Sequence, residues 1–279
     1  MTPLQQAIII DRPELVALLL KRSSQPLAPF GEGALSPLHL AVMAGSLSCL
    51  RLVLAHHPGL LAARDKLGRT PLHVAVMEDS AAMAQALVNG GAALLDADHL
   101  GRTPMHWATL LGRTSCADVV GSPAVVGAVD NVGATALHLA AGARQAGMVN
   151  WLLQAGADAN SAKDAAGRVP LHCAAAGGSA ECVAALLYAV VPGSDGAAPG
   201  TEVDDSGMSV LHHACLAANA EALAALLEEA GLVVALVNLG DAAGETALAK
   251  AAKVGSLACV QLILKHGTCA LLHVYGPPA

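Results

Sequence analysis

Four stretches of the chain carry apolar residues at i, i+3, i+4 and i+7: SLSCLRLVLAHH (46–57), SAAMAQALVNGG (80–91), QAGMVNWLLQAGA (145–157) and SAECVAALLYAV (179–190). That spacing predicts short amphipathic helices with one face to be covered. Ahead of each lies a second short apolar run that opens with a hydroxyl residue or a close substitute. The openings read TPLQQA from Thr2, SPLHLA from Ser36, TPLHVA from Thr70, TPMHWA from Thr103, TALHLA from Thr135, VPLHCA from Val169, SVLHHA from Ser209 and TALAKA from Thr246. Thr or Ser before Pro predicts a helix N-cap followed by a residue suited to the first turn. Upstream stands turn chemistry, an aspartate and a glycine three residues apart. The pattern therefore predicts turn–helix–helix units, none able to bury its apolar faces alone.

The anchors follow one another at 34, 34, 33, 32, 34, 40 and 37 residues. Five residues before each of the last six anchors stand Asp65, Asp98, Asp130, Asp164, Asp204 and Asp241. Two residues before them stand Gly68, Gly101, Gly133, Gly167, Gly207 and Gly244. A period near 33 with a Thr-Pro-Leu-His-x-Ala core resembles the ankyrin-repeat family. The resemblance runs from residue 2 to about 267. It implies an all-α solenoid of stacked helix–turn–helix units with hairpin-like turns, a curved right-handed stack of about eight pairs forming a single domain over 1–279. Repeats are expected to start near residues 1, 34, 68, 101, 133, 167, 207 and 244.

Departures from the period locate irregular places. The Gly/Pro-rich PGSDGAAPGTE (192–202) reads as a flexible surface insert. About four extra residues fall near EEAGLVVALVN (228–238). In the Thr103 unit, Gly121 and Pro123 interrupt the second helix and should shorten it. At the start, AIII (7–10) places isoleucines where a terminal unit should be polar. Either that repeat makes an end-to-end contact with a partner or another copy, or the chain is a fragment of something longer.

Composition narrows the function. Aromatic residues are 2% and the AVILMFWYC set 54%, so the core is built from thin, closely spaced side chains. The net charge of −7 argues against nucleic acid. Residues 1–168 hold 12 basic and 12 acidic side chains, whereas 169–249 hold ten acids and no Lys or Arg. That stretch is a solvated face or a docking area for a basic partner. The seven cysteines form no CxxC pair, and no secretory leader is evident. These features fit reduced thiols in the cytoplasm or nucleus. No apolar run reaches the roughly 20 residues of a membrane span.

The six histidines His39, His73, His106, His138, His172 and His212 all fall at the fourth anchor position. In the family this resemblance points to, that side chain ties adjacent turns through the backbone. Neighbouring units stack about 10 Å apart, too far for two such rings to share a metal. His212, His213 and Cys215 have ligand residue types but no second cluster to complete a site. HExxH, GxSxG, GxGxxG and GxxxxGK[ST] are all missing from the sequence, so the expectation is no enzyme, no metal and no cofactor. Trp107 and Trp151 are expected in the core between helices.

What remains is the face that the family uses for partners, the turn tips and the exposed ends of the first helices. By register these are Lys66, Leu67 and Arg69; His99, Leu100 and Arg102; Asn131 and Val132. The matching helix ends are Met43, Met77 with Glu78, Leu110 with Leu111, Leu216 and Val254. The row is apolar for exposed positions, and Met and Leu flanked by Arg suggest a groove for an apolar peptide or helix with acidic flanks. The resemblance also marks Asn160 as a candidate hydroxylation site, because LLQAGADAN places Leu152 and Asp158 eight and two residues before it. The expected function is a non-catalytic interaction module, an adaptor, scaffold or inhibitor binding another protein or peptide on its concave face. The alternatives are a recruiting or autoinhibitory module of a larger enzyme or channel, and a self-associating structural element.

Overall fold

The computed structural model describes residues 2–22, 35–160, 162–189, 200–228 and 236–275, with side chains as far as 266 in the last stretch. Of the insert expected over 192–202, residues 192–199 lie outside the described residues. The chain divides into two compact units, Met1–Asn131 and Val132–Ala279. No helix among the described residues is long and apolar enough to cross a membrane.

The first unit contains α1 (Pro3–Ile9), α2 (Pro13–Arg22), α3 (Pro37–Met43), α4 (Leu47–His56), α5 (Pro71–Met77), α6 (Ala81–Asn89), α7 (Pro104–Leu110), α8 (Thr114–Val120) and α9 (Pro123–Val126). A 3-10 turn, Pro58–Ala62, follows α4. Odd- and even-numbered helices form two rows. α1, α3, α5 and α7 pack one on the next, as do α2, α4, α6 and α8, and each odd helix packs on the even one that follows it. The four-residue α9 follows the short α8, as Gly121 and Pro123 predict.

The second unit repeats the scheme with α10 (Ala136–Gly142), α11 (Ala146–Gln154), α12 (Pro170–Gly177), α13 (Ala180–Ala189), α14 (Val210–Leu216), α15 (Ala220–Glu228), α16 (Ala247–Val254) and α17 (Leu257–Tyr275). Here α10, α12, α14 and α16 form one row and α11, α13, α15 and α17 the other.

The first-row helices are short because each is framed by its own anchor. Thr70 is in an extended conformation, Pro71 opens the first turn, and the Thr70 hydroxyl and N–H meet His73 Nδ1 at 2.8 and 3.0 Å. With Nδ1 accepting, the neutral ring carries its proton on Nε2. That N–H then donates to the carbonyl just ahead of the next anchor. His39 reaches Arg69 O, His73 reaches Arg102 O, His138 reaches Arg168 O and His212 reaches Glu245 O, each at 2.9 Å. The histidine ladder is thus backbone cross-bracing. Burial lowers the pKa of His39 and His73, which keeps those rings neutral.

Two residues after each of the six middle anchors a large side chain enters the core: Leu38, Leu72 and Met105 in the first unit, Leu137, Leu171 and Leu211 in the second, all buried. The second-row helices answer with Leu50 and Leu87, and with Leu152, Leu186 and Leu223. The tryptophans differ from expectation. Both are half-buried, and Trp107 is drawn outward because its indole N–H has a carboxylate to hold.

Candidate functional site

Each turn is built around its aspartate. In the first unit Asp65 Oδ1 accepts the N–H groups of Leu67 and Arg69, both at 2.9 Å. Asp98 Oδ1 accepts those of Leu100 and Arg102 at 2.8 and 3.0 Å. Asp164, Asp204 and Asp241 do the same in the second unit, with bonds of 2.9–3.0 Å. One oxygen therefore shapes the turn, and the second oxygen needs a donor from elsewhere.

That donor comes from one of two positions. At Asp65 and Asp164 it is the arginine just before the anchor. Arg69 Nε and Nη2 reach Asp65 Oδ2 at 2.8 and 2.7 Å, and Arg168 repeats this on Asp164 at 2.8 and 2.6 Å. At Asp98, Asp204 and Asp241 it is the residue four beyond the anchor. Trp107 Nε1 donates to Asp98 Oδ2 at 2.9 Å, His213 Nε2 to Asp204 Oδ2 at 2.9 Å, and Lys250 Nζ to Asp241 Oδ2 at 2.7 Å. Burial opposes the charge of Asp65, Asp164 and Asp204, yet their donors outweigh it and each pKa is lowered. Lys250, with the backbone of Glu245 and Ala243, holds Asp241 at about 2.

Consecutive tips are also stitched together. In the first unit His99 N–H donates to Leu67 O and Asn131 N–H to Leu100 O, both at 3.0 Å, while Asn131 Nδ2 reaches His99 O at 2.9 Å. The approach is close enough to exclude side chains beneath it. A Cβ on Gly68 would fall 2.5 Å from His99 Cδ2, and Gly68 has φ +78°, a region that already disfavours them. Arg64, which sequence reasoning passed over, spans two tips by bonding Gly68 O and pairing with Asp96 at 3.0 Å.

On this frame the expected surface residues separate into two groups. Lys66, Leu67, Glu78, His99, Leu100, Leu111 and Asn131 are exposed; Arg69, Met77, Arg102 and Leu110 are half-buried. The exposed apolar members of the first unit are Met43 (54%), Leu67 (49%), Leu100 (53%) and Leu111 (36%). Arg69 Nη1 lies 3.6 Å from Met77 Sδ, so this tip and this helix end share one face. Val132 is exposed and belongs to the second unit, as do the exposed helix ends Leu216 and Val254.

The arginines are more committed than their sequence positions suggest. Arg69 forks onto Asp65. Arg102 lies 5.6 Å from the Trp107 ring centre, and its Nε is 3.7 Å from Asp130. Their charge is largely matched within the turns, leaving Lys66 and His99 as the exposed basic groups of these tips. Trp107 was legible in part: a donor four residues past the anchor, facing an aspartate five before it, is a pairing the sequence itself prints. Among the described residues no group of three or more His, Cys, Asp or Glu side chains could hold a metal ion. Asn160 is half-buried after α11, its N–H on Asp158 Oδ1 at 2.9 Å.

A family model described as ankyrin repeats (3 copies) matches residues 38–124, 119–198 and 192–271. Among solved structures the chain is similar to the ankyrin repeat domain of Bcl-3, described as a unique member of the IkappaB protein family. That likeness has a TM-score of 0.64 and 28% identity, over 82% of this chain and 98% of that one. Among curated proteins it is 42% identical over 85 residues to the mouse nuclear factor NF-kappa-B p105 subunit, and 41% identical over 86 residues to the chicken protein. It is 40% identical over 72 residues to ankyrin repeat domain-containing protein 37 of Xenopus tropicalis. These matches cover 29%, 30% and 26% of this chain, but only 9% of each p105 subunit and 40% of the Xenopus protein. A repeated Thr-Pro-Leu-His frame, histidines that brace successive turns and a family model matching most of the length agree: this chain belongs to the ankyrin-repeat family.

Proposed function

We propose that the chain is a non-catalytic interaction module, one ankyrin-repeat domain that binds a partner protein or peptide and acts as an adaptor, scaffold or inhibitor by occupying it. The observation that carries this reading is the row of Met43, Leu67, Leu100 and Leu111, exposed on a frame whose polar groups are otherwise engaged. An exposed apolar row on hydrogen-bonded turns and helix ends is what a partner uses, since the surface is ordered before binding. Lys66 and His99 beside it favour an acidic flank on the partner, with Arg69 and Arg102 acting mainly as turn braces. The likeness to Bcl-3 and to segments of the p105 subunits supports an interaction role of the same kind.

The test is a doubly substituted chain, Leu67→Asp with Leu100→Asp, used beside the unaltered chain in quantitative affinity capture. Both side chains are exposed, so circular dichroism and thermal unfolding should be unchanged. Loss of the captured partner supports the reading, and undiminished capture rejects it. Asn160 is proposed as a hydroxylation site on the family resemblance. A gain of one oxygen on its peptide in cells rich in an asparaginyl hydroxylase would support that, and an unmodified peptide there would end it.

A further inference from the structure

The second row of helices in the second unit carries a groove that the turn tips do not use. It lies between α11, α13 and the loop after α11, and is open to solvent, with a volume of about 730 Å³. Its apolar lining is slender: Leu153, Ala157, Ala185 and Ala189. Among the described residues its polar lining holds no cation; Asn150, Gln154, Asp158 and Asn160 supply amides and a carboxylate. At its edge stands Tyr188, 83% exposed in a chain with only two tyrosines, two tryptophans and one phenylalanine. An aromatic left in water beside a polar-rimmed groove has the make-up of a binding anchor.

Charge selects what the groove can take. The second unit holds six basic and twelve acidic side chains. Four of the six, Arg144, Arg168, Lys250 and Lys253, are already in ion pairs within the unit. Gln154, Tyr188 and Glu228 occupy one register position, eight residues past the first residue of α11, α13 and α15. Glu228 is exposed. Tyr188 thus has Asp158 in its own groove and a carboxylate at the matching site of the next helix.

We propose that this groove binds an arginine-bearing segment of a partner protein. A guanidinium is planar and carries five donors, which suits the Tyr188 ring together with the Asp158 carboxylate and the amide oxygens of Gln154 and Asn160. The alanines admit its methylene stem closely. A lysine meets the charge but not the plane, and an acidic segment meets carboxylates without a cation. A volume within the usual range of roughly 300–1,000 Å³ for ligand sites exceeds one side chain, so a short peptide segment is the fitting occupant. The groove shares no residue with the Leu67–Leu100 face, so either proposal can fail without the other.

The experiment titrates the full chain into a fluorescein-labelled peptide of alternating arginine and alanine, read by fluorescence anisotropy. The same peptide is made with citrulline, and with lysine, in place of arginine. Saturable binding is expected with arginine, weaker binding with lysine, and none with citrulline. Tyr188→Ala, which leaves net charge unchanged, should weaken the arginine complex about tenfold, the scale of one desolvated cation–ring contact. Asp158→Asn should weaken it comparably, and added salt should weaken it further. No binding of the arginine peptide would overturn the proposal. So would equal binding of the citrulline peptide, or an arginine affinity that Tyr188→Ala and Asp158→Asn both leave intact. That last result would mark a general attraction to an acidic chain.

Discussion

Trp107 in the first unit and His213 in the second do the same mechanical work with different chemistry. Each stands four residues past its anchor, and each donates to the outer oxygen of its turn aspartate at 2.9 Å. The indole donates at any pH, whereas the imidazole titrates. Their surroundings differ as well. Trp107 has the Arg102 guanidinium 5.6 Å from its ring centre. His213 has the edge of His172, with ring centres 5.2 Å apart. His172 is the anchor histidine of a unit whose cap is Val169, which has no hydroxyl, so its Nδ1 accepts only the Val169 N–H at 3.2 Å. Its Nε2 is buried without an aligned partner. One turn design therefore tolerates several donors, and the choice of donor sets how the region answers to acid.

The contrast can be broken most strongly in the core. Leu72→Ala in the first unit and Leu171→Ala in the second should each cost about 2–5 kcal/mol in urea unfolding, because both side chains are buried and would leave a cavity. Trp107 and Trp151 report on the first and second unit respectively. Variants keeping one tryptophan each should show which unit is weakened.

Acid should weaken the second unit more than the first, where burial also lowers His39 and His73. Burial first, and then the neighbouring His213, push His172 down to about 4, and His213 is also lowered. Around them, Asp204 and the backbone of Met208 and Glu202 favour protonation, and Arg168 and His212 disfavour it. A histidine whose folded pKa lies below its unfolded value of 6.5 binds its proton more tightly when unfolded. Its stability contribution is therefore complete above pH 6.5 and is lost as pH falls towards 4. The second unit should lose on the order of 2 kcal/mol across that window from His172 alone. The double variant His172→Gln with His213→Gln should flatten the slope of Trp151-monitored unfolding. An unchanged slope would place the acid response elsewhere.

Two smaller changes sharpen the comparison. Trp107→Phe keeps a ring near Arg102 but removes the donor to Asp98, and should cost about 1–2 kcal/mol, as hydrogen bonds to charged groups do. Val169→Thr returns a hydroxyl to the one histidine anchor that lacks it. By the usual worth of an N-cap it should stabilise the second unit by about 0.5–1 kcal/mol. Thermal unfolding at pH 7 measures both.

The frame was legible in the sequence because the units repeat local chemistry: Asp65 to Thr70 to His73 is a turn, a cap and a brace within nine residues. The positions of Leu72 and Leu171 followed from the same register. What the pattern did not reveal was competition among side chains for shared partners. Trp107 read as core because it follows a core-patterned run, but its one N–H has an aspartate to satisfy and the ring moves outward to do so. Arg69 and Arg102 read as surface charges available to a ligand, yet both sit beside turn carboxylates whose second oxygen needs a donor. Such pairings join a turn aspartate to a donor in its own unit or, for Arg102, in the turn before, and helical periodicity encodes neither.

The central claim, that partners are taken by the turn-tip face of the first unit, is tested most directly by hydrogen–deuterium exchange of the chain with and without its captured partner. The account predicts new protection over residues 66–69 and 99–102 and at the C-terminal ends of α5 and α7. Protection confined to α2, α4 and α6, with the tips exchanging as freely as before, would contradict it.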